Sequence, residues 1–191
     1  MVVAEGAHKK GEEGALLAKR YLESTTHIRL PFSVYDDPAQ TTLTRLDGEV
    51  KRYDLAGHFL VDKPHPLVVE VKNYDTVGAQ AAAYTEYLAN AYSITAHEIA
   101  EKHDDPRREF MWVTWHPFSQ TKWAELTSVE EIAKALTEHS DALGGTALDE
   151  SLAAIVSSRL WLVVLSKKQD RLLLTRQELY QVYTVLDRKG T

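Results

Sequence analysis

Apolar positions along this chain follow two periods, and the switches between them lay out its elements. Over residues 11–23, Leu16, Leu17, Tyr21 and Leu22 fall on one stripe at helical spacing, with Lys19, Arg20 and Glu23 outside it. That pattern predicts an amphipathic helix, ended by Ser24-Thr25-Thr26. Residues 28–35 predict an extended segment in which Pro31, unable to donate to a ladder, marks an edge or a bulge. Three strands of one sheet are then expected. They are 41–46, closed by an Asp47-Gly48 turn; 49–61, with Gly57 a candidate bulge; and 67–72 after the Lys63-Pro64-His65-Pro66 turn. The last is short, β-branched and flanked by breakers, as a central strand is.

After Asp75 the period lengthens. Tyr84, Tyr87 and Leu88 share one side of an Ala-rich helix over 79–92, which continues from Ser93 or Thr95 to His103 and stops at Asp104-Asp105-Pro106. Residues 109–115 predict a strand and 116–123 a loop. Ser128 with Glu131 fits a capping box for a helix to about His139, and Asp149 caps another to Ser157 or Ser158. Residues 160–166 predict a strand and 175–186 a final helix. Helices interleave with strands, so the expected class is α/β in one domain over 1–191, with 117–158 a helical insertion that could serve as lid, dimer surface or partner-docking element.

Charge and composition narrow the possibilities. There are 22 Lys and Arg against 28 Asp and Glu, a net charge of −6, which excludes a protein held to nucleic acid mainly by bulk charge. The charge is uneven: residues 97–150 carry twelve acids and five bases, whereas 159–191 carry seven bases and three acids. Should the two chain ends lie together, they would form a mildly positive face. The chain has no cysteine, so disulfides, thiolate nucleophiles and thiolate zinc sites are excluded. The longest apolar run near the C-terminus, 160–165, is far shorter than the ~20 residues of a spanning helix. No apolar signal core forms before the charged residues at the N-terminus, so an intracellular, cytoplasmic, soluble protein is expected.

The chemistry concentrates in Asp54 and in Glu70-Val71-Lys72. Side chains two apart on a strand share a face, so Glu70 and Lys72 project together, and a neighbouring strand would bring Asp54 beside them. A carboxylate and an ammonium inside the apolar run 68–72 are expensive to bury unpaired and call for a reason. A divalent metal supplies one, because two carboxylates with waters and a substrate phosphate suit Mg²⁺, with Mn²⁺ an alternative. The Val71 carbonyl is a further hard oxygen. Lys72 is placed to orient or deprotonate a water, or to offset charge on a phosphorane-like transition state. The bland reading is an Asp54 turn contact and an exposed Glu70–Lys72 neighbour pair of little energetic consequence.

This set resembles the active-site signature of the PD-(D/E)xK nuclease superfamily, the restriction-endonuclease-like fold. The likeness covers residues from about 8 to 90 and includes the preceding helix and a following helix with Gln80 and Tyr84. It implies a mixed sheet in an αβββαβ core, Mg²⁺ dependence, and cleavage of DNA more often than RNA. Gln80 resembles the polar residue that many members place over the catalytic site. The pattern departs at Ala15, where many members carry a glutamate on the first helix. Glu12, three residues earlier on nearly the same helical face, is the candidate to substitute.

Other features carry less. His97 and His103 are six apart, whereas a zincin helix needs two histidines four apart. No phosphate-cradling loop and no Gly-x-Ser-x-Gly elbow is present. His58 shares the face of Asp54 but packs more naturally at the strand end, and Asp62 before Lys63-Pro64 favours a turn role. Tyr74, Tyr84 and Tyr87, and Trp112, Trp115 and Trp161, are expected mainly in the core, with Trp123 in its polar loop the exception.

The reading is therefore a Mg²⁺-dependent nuclease acting in restriction, repair or defence against mobile DNA. Asp54 and Glu70 would bind metal, with Val71 and Glu12 as further ligands, while Lys72 and Gln80 complete the catalytic set. A homodimer or partner subunit would aid access to DNA. The rival, motivated by Ala15 and the acidic charge, is a catalytically weakened module of the same fold acting in protein or nucleic-acid interaction.

Overall fold

The computed structural model describes the backbone of residues 2–61, 63–74, 78–166 and 168–185, and the side chains from Lys9 onward in those ranges except that of Asp170. Asp62 lies outside them. A long helix, α1 (Val2–Thr25), leads into β1 (Ile28–Ser33), a short ribbon of β2 (Thr42–Thr44) and β3 (Val50–Arg52), then β4 (Leu55–Phe59) and β5 (Pro66–Lys72). Helix α2 (Gln80–Lys102), β6 (Glu109–Thr114), α3 (Val129–Glu138), α4 (Glu150–Ser157), β7 (Leu160–Val164) and α5 (Arg176–Val185) follow. The main sheet has the order β1-β4-β5-β6-β7. Its first three strands run antiparallel, and β6 and β7 continue parallel to β5.

The period-2 alternation of β5 splits the core into two layers. Leu67, Val69 and Val71 pack with Ala15, Ala18 and Leu22 of α1 on one face. Val68 joins Phe110 and Trp112 beneath Tyr84, Tyr87 and Leu88 of α2 on the other. Burial on both faces explains why the strand reads as a nearly unbroken apolar run. Residues of the expected insertion are part of this second layer: Ile132, Leu136 and Val156 are core residues there. Ser128 caps α3 by accepting from the Glu131 N–H, and Asp149 caps α4, as the capping signals predict.

Several expectations need correction, among them Tyr74, expected in the core and 42% exposed, and Leu16 and Glu23 of α1, where the apolar residue is exposed and the acid buried. Residues 41–46 and 49–61 do not simply add two strands to one sheet. They give the separate β2–β3 ribbon and, after a break at Tyr53-Asp54, the sheet strand β4. The break has a tertiary cause. The Tyr53 ring is fully buried against Tyr87 and Phe110, and its N–H is taken by the Thr41 carbonyl at 2.9 Å. A buried aromatic on the far side of the ribbon is invisible to local alternation. Trp161, expected in the core, is 45% exposed on the edge strand β7 and donates to Glu109 Oε2.

The β1 edge is blunted as Pro31 suggests, by a register shift between Arg29 and Phe32. The extra residue is in β1, and the bulge lies opposite Gly57, between Arg29–His58 and Phe32–Ala56. Gly57 is needed because the β1 backbone crowds it: a Cβ there would sit 1.8 Å from the Arg29 carbonyl oxygen. Gly57→Ala must therefore push β1 off β4 and is expected to cost on the order of 3 kcal/mol, read as a lowered urea midpoint. An unchanged midpoint would mean that the edge strand yields freely. No helix among the described residues is long and apolar enough to cross a membrane.

Candidate active site

The break at Tyr53-Asp54 builds the site. Pairing of β4 with β5 extends only to Leu55 opposite Val69. One step further, Asp54 Oδ2 accepts from the Val71 N–H at 2.7 Å, standing where a ladder carbonyl would otherwise be. The N–H and C=O of one strand residue point the same way, so the Val71 carbonyl is turned toward the Asp54 side as well. Glu70 and Lys72 share the α2 face of β5, and Lys51 reaches them from β3.

Glu70 is 5% exposed, which removes the bland reading of a solvated neighbour pair. Its Oε1 accepts from Lys72 Nζ at 2.7 Å and from Lys51 Nζ at 3.2 Å. Its Oε2 is buried without a hydrogen-bond partner among the described residues. Leaving a buried acceptor unsatisfied costs roughly 1–3 kcal/mol, and more when it is charged. Each lysine also rides an aromatic face: Lys72 Nζ lies 5.4 Å from the Trp112 ring centre and Lys51 Nζ 5.6 Å from that of Tyr53.

Burial dominates the electrostatics of the site. Burial, and then the Glu70 charge, push the Asp54 carboxyl up to about 6, against the opposing pull of the Val71 N–H and the two lysines. Burial alone would lower the Lys72 ammonium, but the charge and hydrogen bond of Glu70 outweigh it and the net shift is upward. The Tyr35 phenol is raised by burial and then by Asp54, Glu12 and Glu70, which puts Tyr35 and Glu12 on the border of the same negative field.

Glu12 is brought near by close approach of α1. A Cβ at Gly11 would lie 2.5 Å from Tyr35 Oη, and one at Gly14 would lie 2.6 Å from Asn73 Cβ. Asn73 Nδ2 in turn donates to the Lys10 carbonyl at 3.2 Å. Glu12 itself is exposed, and no three His, Cys, Asp or Glu side chains gather into a metal-ligand cluster among the described residues. It therefore borders the carboxylate pair without joining it. Ala15 is buried in the α1 layer.

Gln80 is placed differently from a residue over the catalytic site. It is fully buried, its Nε2 donates to the His116 carbonyl at 3.2 Å, and its Oε1 accepts from Thr114 Oγ1 at 2.6 Å. Thr114 is the register partner of Lys72. Gln80 thus ties the start of α2 to the end of β6, next to Lys72 in register. Helical spacing locates the residue, but not the hydroxyl that claims it. His58 pairs with Pro66 at the other end of β4, about 13 Å along the strand from Asp54. Nothing local in the sequence marks Lys51. It lies in the charged run Glu49-Val50-Lys51-Arg52, and only a division of 49–61 into two strands would have aimed it at Glu70.

The donor set fits a hard divalent cation. Asp54, Glu70 and the Val71 carbonyl offer oxygen ligands, Glu70 Oε2 lacks a partner, and Mg²⁺ commonly takes one or two carboxylates and keeps several waters.

No family model matches the chain, and no curated protein matches it. Among solved structures it is similar to the Acinetobacter baumannii Cap4 SAVED/CARF-domain containing receptor, determined with the cyclic trinucleotides 2'3'3'-cAAA and 3'3'3'-cAAA. Each comparison gives 11% identity and a TM-score of 0.37 over 90% of this chain and 38% of that one. The chain thus spans well under half the length of that receptor, a distant likeness that carries no argument about chemistry.

Proposed function

We propose that this protein is a metal-dependent nuclease of the PD-(D/E)xK type, hydrolysing phosphodiester bonds, with DNA preferred over RNA on the strength of the family resemblance. One observation carries the reading. The buried Glu70 carboxylate has one oxygen held by two lysines and the other without a partner among the described residues, beside a half-buried carboxylate, Asp54, whose pKa is raised. Packing gains nothing from such an arrangement, and a phosphate-cleaving centre needs it. The chain order supports it too: with the β2–β3 ribbon set aside, α1, β1, β4, β5, α2 and β6 follow the αβββαβ order of a restriction-endonuclease-like core.

Asp54, Glu70 and the Val71 carbonyl would hold Mg²⁺ or Mn²⁺. The cation would supply positive charge against the phosphoryl oxygens and make a water more acidic. With its pKa raised, Lys72 keeps its proton at neutral pH and acts as a donor, orienting water and offsetting charge that develops on the phosphate. Lys51 adds a second cation at the same oxygen. Gln80 and Thr114 hold the end of β6 beside Lys72.

Titration of Mg²⁺ and Mn²⁺ by calorimetry, into wild type and Asp54→Ala/Glu70→Ala, tests the reading. Binding by wild type alone, with 5′-phosphate ends appearing on DNA, is the expected result. Absence of binding in both proteins, with DNA present, would favour the weakened interaction module, a reading that gains its support from Glu12 standing outside the carboxylate pair.

A further inference from the structure

The two chain ends do meet, and they build a cleft on the face of the sheet opposite Glu70 and Lys72. Helix α5 packs on α1 beside the β1 edge, enclosing a groove of about 840 Å³. Lys19 and Arg20 of α1, Arg29 of β1 and Arg176 of α5 line it, together with Tyr180 and Tyr183. Glu23 is the only acidic residue among the described residues of this lining, which hold four cations against one anion in a protein of net charge −6.

That carboxylate is spent inside the structure. Glu23 is 3% exposed; its Oε1 accepts from the Leu30 N–H at 2.8 Å and its Oε2 accepts from the Tyr183 hydroxyl. The Arg29 guanidinium lies 3.9 Å from Glu23 and 4.6 Å over the Tyr183 ring, so a buried acid fixes an arginine–tyrosine stack in the wall. Arg20 is held by the Leu174 carbonyl at 2.8 Å. Lys19 and Arg176 have no acidic partner among the described residues, and Tyr180 stands 71% exposed between the cations. Two held arginines and two free cations around one open aromatic ring, Tyr180, suit a chain of phosphates whose bases are free to stack, which duplex bases are not.

We propose that the α1–β1–α5 cleft is a second nucleic-acid site that holds a single strand. Phosphates would lie against Lys19, Arg20, Arg29 and Arg176, with a base on Tyr180. The site is distinct from the carboxylate centre and does not depend on cleavage there.

Binding of a fluorescein-labelled oligothymidylate of about 12 nucleotides is followed by anisotropy in EDTA, which silences metal-dependent chemistry. Lys19→Glu/Arg176→Glu changes two side chains that make no structural bond among the described residues. It is expected to weaken binding at least about tenfold and to flatten the salt dependence, each lost phosphate contact removing roughly 0.7 from the log–log slope. Tyr180→Ala is expected to weaken binding about fivefold or more. Lys134→Glu, on α3, serves as the control and should bind as wild type.

Unchanged affinity in the double variant, or no binding by wild type at about 50 mM salt, overturns the proposal. Competition by polyglutamate as strong as by unlabelled oligothymidylate overturns it in favour of an acidic protein partner. Mg²⁺ binding by wild type without strand binding sinks only this cleft, whereas strand binding by wild type without Mg²⁺ binding sinks only the nuclease reading.

Discussion

Lys72→Ala is expected to lower Mg²⁺-dependent cleavage by on the order of 10²–10³-fold while leaving the melting temperature close to that of wild type. The separation of the two effects follows from the geometry at Glu70. Lys72 and Lys51 both donate to the same oxygen, at 2.7 and 3.2 Å, so deleting one lysine leaves the buried carboxylate with a cation. Lys72 is the closer of the two and stands on the rigid central strand, in register with Thr114. Lys51 comes from a two-stranded ribbon outside the main sheet. Lys51→Ala is accordingly expected to cost less, about tenfold. Cleavage rates for the two variants beside wild type, with Tm from calorimetry, check this. Undiminished cleavage in Lys72→Ala would remove the catalytic role of the site, and a large fall in Tm would make Lys72 a structural residue instead.

The second large effect runs against intuition: Asp54→Asn should make the metal-free protein more stable. The folded-state pKa of Asp54 is raised to about 6 from the ordinary carboxyl value of 3.8, first by burial and then by Glu70. Between those two values the folded protein binds a proton that the unfolded chain has lost. Stability therefore falls as pH rises from about 4 to about 6 and stays lower above that window. Each decade is worth about 1.4 kcal/mol, so the penalty at neutral pH is on the order of 2–3 kcal/mol. Asparagine removes the charge and keeps an oxygen for the Val71 N–H. In EDTA the variant should match wild type near pH 4 and exceed it near pH 8 by most of that amount, read from urea midpoints. Added Mg²⁺ should stabilise wild type and not the variant, because only the binding-competent protein gains from the ligand. Equal midpoints at both pH values would mean that Asp54 is not strained by its neighbours.

These expectations explain why the site was partly legible. Asp54, Glu70 and Lys72 stand out because charged residues within an apolar strand are costly, and the alternation of 67–72 fixes Glu70 and Lys72 on one face regardless of what lies around them. Lys51 and Gln80 escaped correct placement for opposite reasons. Lys51 sits among other charges, where nothing local marks it, and its role arises only because Tyr53 breaks the strand. Gln80 was located by helical spacing, yet its amide is claimed by Thr114 and His116, residues 34 and 36 positions away.

Elements whose signals are local can be read from the chain alone. Capping by Ser128 and Asp149, the edge character of β1 at Pro31, the two-faced burial of β5 and the α/β class all rest on hydrogen bonds and periodicities spanning a few residues. The rest emerges with the packed fold: the separation of the β2–β3 ribbon, the position of Glu12 outside the carboxylate pair, the exposure of Trp161 on an open edge, and the meeting of α1 with α5. Each depends on contacts between segments far apart in the chain, where burial and charge are set by partners that no local pattern encodes.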